Sequence, residues 1–260
     1  MLKRYPVLWF VAITLALSLA AYFLPLPAQQ RSLAVPVLLV FVPTLVCIPI
    51  TFLTDGREGL RQLFSGVRGA WKWILIGIVV GALLRVAVLV AGIVFGMSIQ
   101  ADLSAPGTAF VVLATIPLAW FEELGWRRFA LDRLLASRSP LEASILLGFP
   151  WALIHLILIL PGMMSVGAPA IPQTIVLVAL SILLTWAYVR SGGSLLTVTL
   201  IHGVQNGLVV LNRGPAMADS TWLMMGVYSL FAILLLLFDR HMFFVKPAES
   251  RLASSEAAIS

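Results

Sequence analysis

The stretch WILIGIVVGALLRVAVLVAGIVF, residues 73–95, contains 23 residues and a single charge, Arg85. A helix needs about 20 apolar residues to cross the hydrocarbon core of a bilayer, so this stretch can span a membrane. The sequence contains eight such stretches in all, at residues 6–25, 33–53, 72–96, 108–126, 141–161, 172–190, 194–212 and 220–238. It therefore predicts an all-α bundle of about eight transmembrane helices.

The composition excludes a water-soluble domain. Hydrophobic residues make up 61% of the 260 residues and charged residues only 11%, which is too little polar material to cover a surface in water. The net charge of +6 could suit a nucleic-acid partner, but the basic residues occupy short loops rather than one soluble face. We therefore expect an integral membrane protein whose partners are the lipid bilayer and membrane-associated molecules, with no nucleic acid.

The basic residues also predict the orientation. When loops are assigned alternately to the two sides of the membrane, Arg85 lies within a span and only Arg31 and Arg213 fall on one side. All other lysines and arginines fall on the opposite side, which the positive-inside rule makes cytoplasmic. The sequence predicts a protein of the plasma (inner) membrane with both termini in the cytoplasm.

The chain divides into four predicted parts. Residues 1–107 hold three spans and a short interfacial helix at 55–70, where apolar residues recur at helical spacing beside arginines. Residues 108–212 form a helical core that carries most of the polar intramembrane residues, and residues 213–245 hold the last span. The small and polar residues 246–260 predict a disordered cytoplasmic tail.

Two adjacent carboxylates end the fourth span. Glu122 and Glu123 point about 100° apart around a helix, which predicts different roles. Glu123 and Arg127 stand four residues apart with the acid first, the order that favours an ion pair. Glu122 has no such local partner and is the better candidate to exchange a proton with water. The structural alternative is a pair of interfacial acids that reach toward the cytoplasm.

Two histidines and an asparagine lie in other spans. His155 follows Trp151 by one turn in the fifth span, where a lone imidazole is either a helix-to-helix hydrogen-bond donor or a catalytic group. His202 and Asn206 are four residues apart in the seventh span, so both point to one place. A carboxylate, two imidazoles and an amide on three spans are the groups that peptide hydrolysis needs.

These residues resemble the motifs of the CAAX prenyl protease and bacteriocin-processing family, also called the CPBP or Abi family of intramembrane proteases. Its patterns are Glu-Glu-x-x-x-Arg, an aromatic residue four before a His, and His-x-x-x-Asn, each on its own membrane helix. In this chain they are Glu122, Glu123 and Arg127, then Trp151 and His155, then His202 and Asn206. Two positions depart from the family pattern, because Trp151 stands where Phe is usual and Arg128 where Gly is frequent.

The resemblance, which covers residues 108–212, implies an endopeptidase that hydrolyses a peptide bond of a membrane-associated protein or peptide. It implies that Glu122 activates a water with the help of His155. It implies that His202 and Asn206 stabilise the oxyanion. The residues implied to support the site are Glu123, Arg127 and Trp151.

The sequence leaves the cofactor open. No cofactor is certain, but His155, His202 and Glu122 could be ligands of a catalytic zinc, since two imidazoles and a carboxylate form a known ligand set. The two histidines lack the His-Glu-x-x-His spacing that places both on one helical face. A glutamate-dependent hydrolase and a metallopeptidase are therefore both possible.

Arg85 allows two interpretations. It either forms a salt bridge with a carboxylate of the fourth span or lies in the cavity as a possible contact for a substrate carboxylate. We expect that cavity to face the cytoplasm. The span bounds place Glu122 and His155 about 12 Å apart in depth, so either the fourth helix continues beyond Arg128 or the fifth begins in the cytoplasm.

Two other classes of function remain open. Ionisable groups within spans also suit a transporter, although no internal repeat is visible. A non-catalytic member, acting in bacteriocin immunity or as a membrane scaffold, would carry the same residues. If the protein cleaves peptides and a single substitution in the site abolishes that cleavage, the endopeptidase is distinguished from both alternatives.

Overall fold

The computed structural model describes residues 1–65, 70–98, 108–212 and 216–245, and these ranges are helical with no strand. The helices that correspond to the eight predicted stretches are α1 Pro6–Tyr22, α2 Ala28–Phe64, α3 Trp71–Val94, α4 Thr108–Glu123, α5 Pro140–His155, α6 Ala170–Arg190, α7 Leu195–Gly207 and α8 Met217–Phe238. A short α9, Arg240–Phe244, follows them. The predicted all-α bundle is confirmed. The predicted tail at 246–260 lies outside the described residues.

Six of the described helices are long and apolar enough to cross a membrane. The other two apolar helices, α1 and α7, are shorter, and α7 reaches Leu211 only through a 3-10 turn. The protein is an integral membrane protein whose span count agrees roughly with the predicted eight. Large side chains on its outer faces remain exposed, as a lipid-facing surface requires.

Local sequence explains where several helices begin. Proline stands in the first turn of α1 and of α5, where its missing N–H removes no helical hydrogen bond. Ser139 and Glu142 form a capping box at the start of α5, each bonding the backbone N–H of the other. Ser194 caps α7 by accepting from the backbone N–H of Thr197.

The fourth helix does not end at its acidic pair. It continues from α4 through a π-helical stretch, Leu124–Leu131, and a final α-helical turn, Asp132–Leu135. A π-helical turn holds more residues than an α-helical turn and is frequent at functional sites. Glu122 therefore lies near the middle of a continuous helix, which answers the question of depth: the fourth helix continues beyond Arg128.

The short α7 packs between α3 and α4, and glycine permits both contacts. A Cβ on Gly81 of α3 would lie 2.8 Å from the carbonyl oxygen of Ile201. A Cβ on Gly203 of α7 would lie 2.6 Å from the Cα of Ile116 in α4. Thr115 of α4 donates a hydrogen bond of 2.8 Å to the carbonyl of Gly203. This close packing holds the polar residues of α7 against the acidic pair of α4.

Candidate active site

The two adjacent carboxylates have separate surroundings. Glu122 lines a cavity inside the bundle and accepts a hydrogen bond of 2.9 Å from the indole Nε1 of Trp151. Glu123 is fully buried and lies 3.2 Å from Nε of Arg127, which is buried as well. The other carboxylate oxygen of Glu123 lies 2.8 Å from Nδ1 of His202. The acids thus point in different directions, and the expected Glu123–Arg127 ion pair is present.

Trp151 lies at the centre of the site. Besides its bond to Glu122, its ring stands edge-on to both imidazoles, with centroid distances of 5.4 Å to His155 and 5.3 Å to His202. The guanidinium of Arg127 lies 4.7 Å from the ring centroid, within the range of a cation–π contact. A phenylalanine could reproduce these ring contacts but has no N–H for Glu122. The sequence motif predicted an aromatic residue at position 151, but it did not predict the hydrogen bond from Trp151 to Glu122.

The hydrogen bond at His155 fixes its tautomer. Its Nδ1 lies 2.9 Å from the carbonyl oxygen of Trp151, which can only accept, so Nδ1 carries the proton. In the neutral imidazole Nε2 is then an unprotonated acceptor. His155 lines the same cavity as Glu122. The structure therefore brings together the carboxylate and the imidazole that were predicted to handle water.

His202 lies behind the cavity rather than in its wall. Its side chain is 2% exposed, packed against Trp151 and bound to the carboxylate of Glu123. Because Nδ1 faces an acceptor, Nε2 can donate a hydrogen bond only when the ring is an imidazolium. Sequence spacing grouped His202 with Asn206, but in this structure only Asn206 faces the cavity.

Gln205, a position that the three sequence motifs leave unspecified, bonds to Asn206. Gln205 is 3% exposed, and its Oε1 accepts from Tyr228 Oη at 2.7 Å and from Arg85 Nη2 at 3.0 Å. Its Nε2 therefore points away from these donors and donates to Oδ1 of Asn206. The signal was present in the sequence, since Gln205 stands beside Asn206 in a span where amides are costly.

Arg85 is buried in the wall of the same cavity. Its Nε donates to the carbonyl oxygen of Gln205, and its Nη1 lies 3.1 Å from the sulfur of Met224. Within the described part of the chain it forms no salt bridge with a carboxylate of the fourth span, so that interpretation is wrong for these residues. A contact between Arg85 and a substrate stays a prediction.

The cavity has a volume of about 730 Å³ and is lined largely by apolar side chains around the polar groups. Its lining includes Met164, Ser165 and Met217, which lie at the end of the bundle opposite the loop that carries Arg138. The expectation that the cavity faces the side with the basic loops is therefore wrong. The cause is the long fourth helix, which places Glu122 far from that side.

The region that carries these residues is similar to known proteins. A family model described as type II CAAX prenyl endopeptidase Rce1-like matches residues 103–208, which include all three motifs. CAAX prenyl protease 2 of Methanococcus maripaludis is 29% identical to this chain over 175 residues. In this region the chain is similar to the CAAX prenyl protease family. The match to that CAAX prenyl protease covers 61% of this chain and 62% of the relative's own length.

The predicted zinc ligands of this site are not grouped around one point. Within residues 1–65, 70–98, 108–212 and 216–245, no three His, Cys, Asp or Glu side chains are placed to hold a metal ion. Nδ1 of His155 and of His202 faces an oxygen acceptor, so only Nε2 of either ring could be a ligand atom. Because the three side chains are not grouped around one point, the predicted set of Glu122, His155 and His202 does not fit a zinc ion in this arrangement.

Arg128, which departs from the CAAX-family pattern, does not line the cavity that contains Glu122. It pairs with Asp132 at 2.9 Å and donates to the backbone of Gln62 and the hydroxyl of Ser65. These residues line a second, polar cavity of about 550 Å³ at the end of the bundle with the basic loops. Arg128 thus ties the end of the fourth helix to the segment that follows the break in α2 at Gly56.

Proposed function

We propose that the protein is an intramembrane endopeptidase that hydrolyses a peptide bond of a membrane-associated protein or peptide. One observation carries this proposal: Glu122, His155 and Asn206 line one cavity inside the bundle. They supply a base, an acceptor for water and an amide donor, the set that acyl hydrolysis requires. The largely apolar walls suit a substrate segment with apolar side chains.

Glu122 is the general base in this mechanism. Trp151 occupies one carboxylate oxygen, which leaves the other for a water molecule in the cavity. Nε2 of His155, unprotonated in the neutral ring, accepts a second hydrogen bond from that water and orients it. As the water attacks the substrate carbonyl carbon, its proton passes to Glu122, which then gives it to the leaving amine.

Asn206 makes the direct contact with the oxyanion. Gln205 occupies its Oδ1, so Nδ2 faces the cavity as a donor of two hydrogen bonds. A well-placed donor of this kind contributes about 3 kcal/mol to stabilisation of the transition state. We assign a supporting position to His202, because Glu123 and Trp151 hold it just behind the cavity wall.

The test compares wild type with Glu122→Gln in liposomes, using a panel of quenched fluorescent peptides with apolar sequences. Glu122→Gln keeps the shape of the side chain but removes the base, so kcat should fall by at least about 100-fold. Glu58→Gln is the matched control, because Glu58 is exposed on the segment after Gly56 and should keep full activity. Full activity of Glu122→Gln would contradict the mechanism.

Adding a zinc chelator to each sample tests the metallopeptidase alternative. Activity that withstands the chelator and depends on Glu122 supports the glutamate-dependent mechanism. Activity that disappears with chelator and returns with added zinc would support a metal-dependent one. An absence of cleavage by wild type across the panel would favour the immunity, scaffold or transporter alternatives.

We further propose that the protein lies in the plasma membrane with both termini in the cytoplasm. The loops that carry most of its basic residues would then be cytoplasmic. The cavity rim near Met164 and Met217 would face the opposite, exported side. A substrate would reach Glu122 from that side or from the adjacent leaflet.

A further inference from the structure

A hydrogen-bond network of four side chains includes Arg85 and the proposed oxyanion contact, Asn206. Arg85 and Tyr228 both donate to Oε1 of Gln205, and Nε2 of Gln205 donates to Oδ1 of Asn206. Arg85, Gln205 and Tyr228 are buried, whereas Asn206 is exposed to the cavity. The network thus runs from the protein interior to the atom that would meet the substrate.

This arrangement permits one orientation of each amide. Arginine and tyrosine face Gln205 as donors here, so the oxygen of its amide must face them and the nitrogen must face away. That nitrogen can only donate, so it selects the oxygen of the Asn206 amide. The NH₂ group of Asn206 takes no part in this network, and it has no acceptor among the described residues. A rotation of Asn206 by 180° would instead place two donors against each other.

We infer that Gln205, held by Arg85 and Tyr228, is a positioning residue that keeps the NH₂ group of Asn206 directed at the developing oxyanion. This inference rests on the proposed peptide hydrolysis. Without the network, the Asn206 amide could present either end to the substrate. The end that carries Oδ1 would repel an oxyanion, so correct orientation matters most in the transition state.

Gln205→Glu tests the inference with almost no change in shape. The glutamate keeps acceptors for Arg85 and Tyr228, so the variant should unfold at the same temperature as wild type or higher. It removes the N–H that faces Asn206 and replaces it with an acceptor, which favours the reversed Asn206 amide. Because an oxyanion donor is lost, kcat should fall by about 100-fold while KM changes by less than about threefold.

The decisive control repeats the substitution in an Asn206→Ala background. Asn206→Ala alone should lower kcat by about 100- to 1,000-fold. If Gln205 acts through Asn206, adding Gln205→Glu should then change kcat by less than about threefold, which is the non-additivity expected for coupled residues. A purely structural role for Gln205 predicts the same effect in both backgrounds, and that result would overturn the inference.

Tyr228→Phe provides a second measurement if Gln205→Glu does not fold. It removes one of the two donors to Oε1 and leaves Arg85, so kcat should fall by about 2- to 10-fold with KM unchanged. Wild-type kcat in either Gln205→Glu or Tyr228→Phe, with Glu122-dependent cleavage present, overturns the inference and leaves the proposed function standing. No cleavage by wild type would remove the proposed function, and the inference with it.

Discussion

Replacing Trp151 with phenylalanine should lower peptidase activity without disrupting the fold. The substitution removes the indole N–H that lies 2.9 Å from Glu122 and keeps an aromatic ring beside His155 and His202. The carboxylate of Glu122 would lose the contact that fixes one of its oxygens. It would then sample orientations in which neither oxygen holds the attacking water correctly.

The expected loss of activity follows from the free energy of the hydrogen bond that is removed. A hydrogen bond from a neutral donor to a carboxylate contributes about 1.5 to 3 kcal/mol. Each 1.36 kcal/mol corresponds to a factor of about ten in rate. If the whole bond serves to orient Glu122, kcat/KM of Trp151→Phe should therefore fall by about 10- to 160-fold. The assay is cleavage of a quenched fluorescent peptide by the protein in liposomes, with thermal unfolding measured on the same samples.

Trp126→Phe is the matched control. Trp126 is also fully buried, but its Nε1 has no hydrogen-bond partner among the described residues. Both substitutions remove a similar volume, so both lose similar packing energy, and only Trp151→Phe loses a bond to a carboxylate. Trp126→Phe should keep near wild-type kcat/KM. Equal kcat/KM for Trp151→Phe and wild type would refute the role of the indole in holding Glu122.

Two further predictions concern packing and orientation. Gly203→Ala should destabilise the protein by about 1 to 3 kcal/mol through overpacking, seen as a lower unfolding temperature, because its Cβ would meet the Cα of Ile116 at 2.6 Å. Gly226→Ala should leave the unfolding temperature unchanged, because a Cβ at that position would have open space around it. In vesicles of known orientation, an impermeant thiol reagent should label Met164→Cys from the exported side and Ser137→Cys from the cytoplasmic side, since the one native cysteine is buried. Labelling of the two from the reverse sides would contradict the proposed orientation.

Sequence alone was sufficient for the helical bundle and for the Glu123–Arg127 ion pair. Long apolar stretches predict membrane helices because an unsatisfied backbone cannot enter lipid, and this constraint acts on each helix separately. Glu123 and Arg127 form the predicted ion pair because four-residue spacing on a helix is a local property. Both predictions depend only on residues close together in the chain.

Contacts between distant helices could not be predicted in the same way. The bond between Glu123 and His202 joins residues 79 positions apart, and the bond between Glu122 and Trp151 joins residues 29 apart. Neither spacing carries a signal in a single sequence. The extension of the fourth helix beyond Arg128 was one of two alternatives that the sequence left open, since the charged residues after Glu123 resemble a loop. That extension reversed the expected direction of the cavity.

The site is better understood as one cluster around Trp151 than as three separate motifs. Its indole bonds the proposed base, its backbone carbonyl sets the tautomer of His155, and its ring packs against His202 and beneath Arg127. Two adjacent carboxylates can therefore be buried together, because the indole N–H satisfies Glu122 while Arg127 and His202 surround Glu123. Loss of one partner from the Glu123 group would leave a buried charge uncompensated and threaten folding. Loss of the indole N–H removes a donor from Glu122 but leaves no charge without its counter-charge, so we expect a smaller loss of stability than at Glu123, together with a slower reaction.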